Sequence, residues 1–211
     1  MVREGKIHLH AAKQPRESSM GSRHQWSSFL ACLALAGLCF LLVTSCTGAE
    51  KGLPLVDDSP PPASLSDLFG SVLLKTDGSQ VGIGAMEDKA VIGIFFSAGW
   101  CPACGAFTPQ LLATYHELKE SKKSFEVVLV SFDDSSGGMF AHMTQYAMPW
   151  LAVPHGSAKA TALVQRYDVR LIPTLVVIDQ KGKTLSLNGR GDIVGKGAQA
   201  YDDWLAASGG S

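Results

Sequence analysis

The residues of this sequence best suited to chemistry stand together at Trp100-Cys101-Pro102-Ala103-Cys104. Two cysteines three positions apart are one helical step from each other if the segment is helical. The run Ala90–Ser97 before them is continuously apolar, and from Pro102 to about Lys119 the apolar residues Phe107, Leu111, Leu112, Tyr115 and Leu118 recur at helical spacing. The pair therefore belongs at a strand-to-helix junction, with Pro102 at the first helical position, where its missing N–H costs nothing. Unpaired amides and the positive end of the dipole favour a thiolate at such a helix start, and only a thiolate attacks disulfides. Cys101 is thus the expected nucleophile. Cys104, inside the first turn, is placed to resolve a mixed disulfide. The alternative use of the motif, half of a structural zinc site, needs a second pair of ligands. Downstream of Cys46 there is none, and His116, His142 and His155 lack zinc-finger spacing to the pair. No metal is expected.

The elements around the motif give a fold class. Ser71–Lys75 and Gln80–Ile83 read as short strands about the turn Thr76-Asp77-Gly78-Ser79. Ala90–Ser97 and Phe125–Phe132 are apolar throughout, as strands covered on both faces are. Gly137-Gly138 interrupts the chain, and helices are expected near 139–147 and 158–167. Thr174–Asp179 and Thr184–Leu187 form a hairpin, and a helix over 196–206 closes the domain. Strands alternating with helices before a terminal hairpin predict an α/β domain with a mixed central sheet and helices on both faces.

The amino-terminal part has a different character. Phe29–Val43 is fifteen uncharged, mostly apolar residues, short for a membrane span and suited to a signal peptide. Starting at Met20 would give a compact leader with Arg23 ahead of that run. Val43-Thr44-Ser45-Cys46 resembles the lipobox of bacterial lipoproteins, which makes Cys46 a candidate for lipidation after cleavage; the rival reading of residues 1–45 is an uncleaved signal anchor. Cleavage would remove Arg3, Lys6, Lys13, Arg16 and Arg23 with Glu4 and Glu17, taking the net charge from −1 to −4. Residues 46–63, with Ser59-Pro60-Pro61-Pro62, read as a semi-rigid tether to a domain over 64–208. The expected location is membrane-anchored, facing a periplasm or other extracytoplasmic space. A near-neutral charge with no clustered basic face gives no reason to expect nucleic acid.

The motif and its surroundings resemble the thioredoxin superfamily, and within it the tryparedoxin and nucleoredoxin branch. The resemblance rests on Phe96-Ser97-Ala98 before Trp100, the Cys-Pro-x-Cys core, and Phe107-Thr108-Pro109. It continues through Met148-Pro149-Trp150-Leu151-Ala152-Val153-Pro154, Tyr167-Asp168-Val169 and Ile172-Pro173-Thr174-Leu175-Val176-Val177-Ile178-Asp179. It implies a thioredoxin fold, a redox disulfide between Cys101 and Cys104, and protein-disulfide reductase activity. It also implies a cis Ile172–Pro173 bond beside the pair, with Trp100, Pro102, Ile172 and Pro173 contacting substrate, and a kink at Pro109. Three departures bear on redox poise. Ala103 stands where many relatives have proline, Gly105 where they have a basic residue, and Phe95 where thioredoxins carry a buried acid.

Other signals are weaker. Asp133-Asp134 reads as a solvated loop edge, Arg190-Gly191-Asp192 as a turn, and Trp150 as core. Gly82-Ile83-Gly84 lacks the third glycine and the helix of a dinucleotide fingerprint. No cofactor is expected, so electrons come from an upstream dithiol protein and pass to client proteins with disulfides. A redox-inactive or metal-handling binding module on the same fold is the rival from another class.

Overall fold

The computed structural model describes Pro62 and residues 64–209. The leader, Cys46 and most of the tether lie outside the described residues. Among the described residues no helix is long and apolar enough to cross a membrane.

The elements follow the order α1 (Leu65–Phe69), β1 (Val72–Leu74), β2 (Gln80–Gly82), β3 (Val91–Ser97), α2 (Pro102–Glu120), β4 (Phe125–Ser131) and α3 (Ser136–Gln145). After these come β5 (Leu151–Ala152), α4 (Ala158–Arg166), β6 (Thr174–Asp179), β7 (Thr184–Ser186), α5 (Gly189–Lys196) and α6 (Ala200–Ser208). One mixed sheet runs β2-β1-β5-β4-β3-β6-β7. Its centre pairs β3 parallel with β4 and antiparallel with β6. This is the mixed sheet with helices on both faces anticipated from the alternation of elements, and it is the thioredoxin fold that the resemblance implies.

Period-two alternation divides the central strands between two cores. Val91, Phe95, Val127 and Leu129 point to the face covered by α2, α3, α5 and α6, where Phe107, Leu111, Met143, Trp150 and Trp204 are buried. Ile92, Ile94, Phe96, Val128 and Val130 point to the other face, under α1 and α4. Every residue of β3 is buried, which is why the strand reads as an unbroken apolar run. Phe95 packs against Phe107 and Trp150 at centroid distances of 5.9 and 6.2 Å. The aromatic cluster thus fills the place where thioredoxins keep an acid, and Trp150 is core, as expected.

Three expectations need correction. The glycines at 137 and 138 do not interrupt the chain; they lie in the first turn of α3, because the Ser135 hydroxyl caps the helix through the Gly138 N–H at 3.1 Å. Arg190-Gly191-Asp192 lies within α5 rather than a turn. That helix was unexpected because its glycines disfavour it, but buried Ile193 fixes it to the α2-side core. Asp133 is not a solvated loop edge. It is buried, and only Asp134 is exposed.

Candidate active site

Three of the described α-helices, α1, α3 and α4, begin in the same way, and the site is a fourth instance of it. Ser64, Ser135 and Ser157 each accept the backbone N–H three residues on, at 3.1–3.2 Å. This is the ordinary N-cap bond, worth about 1 kcal/mol. At the start of α2 the same position is held by Cys101, whose Sγ accepts the Cys104 N–H at 3.2 Å. A sulfur therefore occupies the place a capping hydroxyl takes elsewhere in the chain. The helix then runs through Pro109 without ending, to Glu120.

Cys101 and Cys104 are free thiols, and the pair straddles the boundary with solvent. Cys101 keeps 7% of its surface, while Cys104 has none. The Cys101 thiol donates to the Ile172 carbonyl at 3.7 Å, and the Ile172–Pro173 bond is cis. Trp100 stands 61% exposed beside the pair, its indole N–H donating to the Phe132 carbonyl at 3.1 Å. Leu171 is 80% exposed. Pro102 is exposed, Ile172 half-buried and Pro173 buried. The structure thus brings together Trp100, Cys101, Pro102, Cys104 and Ile172-Pro173. Cys46 lies outside the described residues.

Burial pushes the Cys104 thiol up, from its ordinary 9.0 to about 11, and the neighbouring Cys101 adds to the rise. Acting against this are the Ala98 backbone and the Ser97 side chain. A protonated inner thiol beside a reachable outer one suits a sequence in which the outer sulfur attacks first.

The turn before Cys101 is held from outside the motif. The Asp133 carboxylate accepts the Gly99 N–H at 2.8 Å through Oδ1 and the Ser131 hydroxyl at 2.8 Å through Oδ2. His142 Nδ1 faces Oδ2 at 3.5 Å. Burial lowers the His142 pKa below its usual 6.5, with Asp133 opposing, so the imidazole is neutral at pH 7. At Gly105 a Cβ would fall 2.8 Å from the hydroxyl of Tyr146, the residue that follows α3, so this side chain fills the space where relatives carry a basic residue. Asp133, Tyr146 and Ser97 are site residues that sequence reasoning missed. The partners of Asp133 and Gly105 come from distant elements, and Ser97 reads merely as the polar end of a strand. Among the described residues no cluster of metal-ligating side chains occurs.

A thioredoxin-like family model matches residues 88–184, which span β3 through the start of β7. A thioredoxin structure from Wuchereria bancrofti is 37% identical, covering 66% of this chain and 97% of that one with a TM-score of 0.57. The chain belongs to the thioredoxin-like family. Other relatives within it are tryparedoxins and nucleoredoxins. Tryparedoxin II of C. fasciculata is 34% identical with a TM-score of 0.57, over 63% of this chain and 88% of that one. Nucleoredoxin of Xenopus laevis is 33% identical over 156 residues, 70% of this chain and 37% of that protein. The chain thus spans about a third of the length of the nucleoredoxins it matches. Both relatives support placing the chain in the nucleoredoxin and tryparedoxin branch of the family.

Proposed function

We propose that this domain reduces or exchanges disulfides in client proteins, with Cys101 attacking and Cys104 resolving, and that its leader delivers it across a membrane and tethers it there. The observation that carries the reading is the placement of Cys101. Its Sγ sits at the α2 N-cap, 3.2 Å from the Cys104 N–H and 3.7 Å from the Ile172 carbonyl, at the surface between exposed Trp100 and Leu171. The Cys101 thiolate attacks one sulfur of a client disulfide, that bond breaks, and the other client sulfur leaves as a thiolate and takes up a proton. Trp100 and Leu171 offer apolar surface to the client chain beside the scissile bond. A dithiol partner protein then restores the reduced pair.

For the tether two readings differ in chemistry. The Val43-Thr44-Ser45-Cys46 sequence supports lipid on Cys46. The relatives named above come from eukaryotes, and that supports an uncleaved signal anchor instead. The mass of the mature amino terminus separates the two.

The catalytic reading is tested by trapping. Cys104→Ser should accumulate covalent complexes with disulfide-bearing clients through Cys101, resolved by non-reducing electrophoresis, and Cys101→Ser should accumulate few. A better yield from Cys101→Ser would reverse the roles, and no complex from either variant would refute exchange at this pair.

A further inference from the structure

Resolution of the mixed disulfide requires a thiolate at a place built to keep a thiol. Cys104 must lose its proton inside a fully buried pocket, and thioredoxins place a carboxylate there to receive it. Here that strand position is Phe95, packed between Phe107 and Trp150. Among the described residues, the leading influences on the Cys104 sulfur are its own burial, Cys101, the Ala98 backbone and the Ser97 side chain, none of them an acidic or basic side chain.

Ser97 is the last residue of β3, fully buried, and its position is fixed on both sides. Its backbone pairs with Ser131 of β4, and its carbonyl accepts the Phe132 N–H at 2.9 Å. Among the described residues the Ser97 hydroxyl has no hydrogen-bond partner of normal geometry. A buried hydroxyl left without a partner costs about 1–3 kcal/mol, so one that persists calls for an explanation. Ser97 leads directly into Ala98, which is buried in one cluster with Cys101 and Cys104, and the Ser97 side chain acts on the Cys104 sulfur to lower its pKa. A thiol is a weak acceptor and a thiolate a strong one, so the hydroxyl gains its partner when Cys104 ionises.

We infer that the Ser97 hydroxyl, with the Ala98 N–H, forms a two-donor cradle for the Cys104 thiolate and so serves the resolving step in place of a buried carboxylate. The inference rests on the proposed exchange chemistry and assigns its second half. In that half the Cys104 S–H bond breaks and the proton leaves. The sulfur attacks Cys101 Sγ, the Cys101–client bond breaks, and the Cys101–Cys104 bond forms. The client sulfur departs as a thiolate and is protonated. The dithiol has then lost two electrons and the client disulfide has gained two. Ser97 donates throughout and is unchanged at the end.

The test is single-turnover reaction of the reduced full chain with an aryl disulfide that releases a coloured thiolate at each step, first on attack by Cys101 and again on resolution by Cys104. Ser97→Ala should leave the first phase unchanged and slow the second roughly tenfold to a hundredfold, as expected on losing a hydrogen bond to a charged acceptor. The pH midpoint of the second phase should also rise. Ser97→Thr, which keeps the hydroxyl, should retain most of the second-phase rate. An unchanged second phase in Ser97→Ala overturns the inference, and so does equal slowing in Ser97→Thr, which would show a need for volume rather than a donor. Failure of Ser97→Ala to fold would assign the hydroxyl to the fold and overturn it as well. Absence of the first phase in the unmodified protein would instead refute exchange by Cys101, so the two failures are distinct.

Discussion

The inner thiol can be interrogated alone by replacing the outer one. Cys101→Ser keeps an oxygen at the α2 N-cap, the residue type already used at Ser64, Ser135 and Ser157, so the helix start should survive. Cys104 then remains fully buried. Its pKa rises from 9.0 to about 11, with burial the leading cause and Cys101 a lesser one, so most of the rise should persist in the variant. At pH 7 a thiol at 9.0 is about 1% ionised, and one at 11 about 0.01%, a difference of about a hundredfold in reactive thiolate. Burial slows the reagent further. The assay is alkylation by iodoacetamide across a pH series, with each cysteine followed by peptide mass. In the reduced unmodified protein Cys101 should be consumed well before Cys104 at neutral pH. In Cys101→Ser the rate at Cys104 should still be climbing above pH 9 and should not level before about pH 10.5. A plateau by pH 9, or Cys104 reacting first in the unmodified protein, would refute the claim that burial holds the inner thiol protonated.

Two further outcomes follow from the same geometry. Because the folded state raises the Cys104 pKa from 9.0 to about 11, the folded reduced protein holds that proton more tightly than the unfolded chain. Its contribution is complete below pH 9 and lost as pH rises from 9 to 11, by at most about 2.7 kcal/mol. The oxidised protein has no such proton, so the stability of the reduced form relative to the oxidised one should fall between pH 8.5 and 11 in paired urea titrations, and a constant difference would contradict this. At Gly105 within α2, the contact of an Ala Cβ with the Tyr146 hydroxyl at 2.8 Å should offset the roughly 1 kcal/mol that Ala gains over Gly in a helix, leaving Gly105→Ala near neutral. In a Tyr146→Phe background the same substitution should stabilise by about 1 kcal/mol in a double-mutant cycle, and strict additivity would place the contact elsewhere.

What the sequence disclosed about this fold follows from where each signal originates. β3, β4 and β6 are almost wholly buried, so burial on both faces is written into them as apolar runs. The redox motif is legible for a similar reason, since a strand end, an N-cap and a first helical turn are consecutive in the chain. α5 was illegible because Gly189, Gly191 and Gly195 argue against a helix locally, while its support, Ile193 in the α2-side core, is tertiary. β5 is only two residues long and carries too little pattern to be read. Asp133 reads as a loop acid because its burial depends on a bond to Gly99, thirty-four positions away.

The division between legible and illegible residues also separates the two halves of the chemistry. Attack depends on Cys101 being at a helix start and near the surface, and that placement is set within a few consecutive residues. Resolution depends on the ionisation of Cys104, which is a balance of larger opposing effects from different parts of the fold. Packing with Ala98 and Cys101 under Phe132 and Ile172 buries the sulfur and pushes its pKa up, while the Ala98 backbone and the Ser97 side chain, at the end of β3, pull it down. Substitutions in the motif should therefore alter which sulfur reacts, whereas substitutions at Ser97 should alter only how quickly the client is released. On the proposed exchange chemistry, the Cys-x-x-Cys spacing decides which sulfur attacks, and the end of β3 decides how readily the second one ionises.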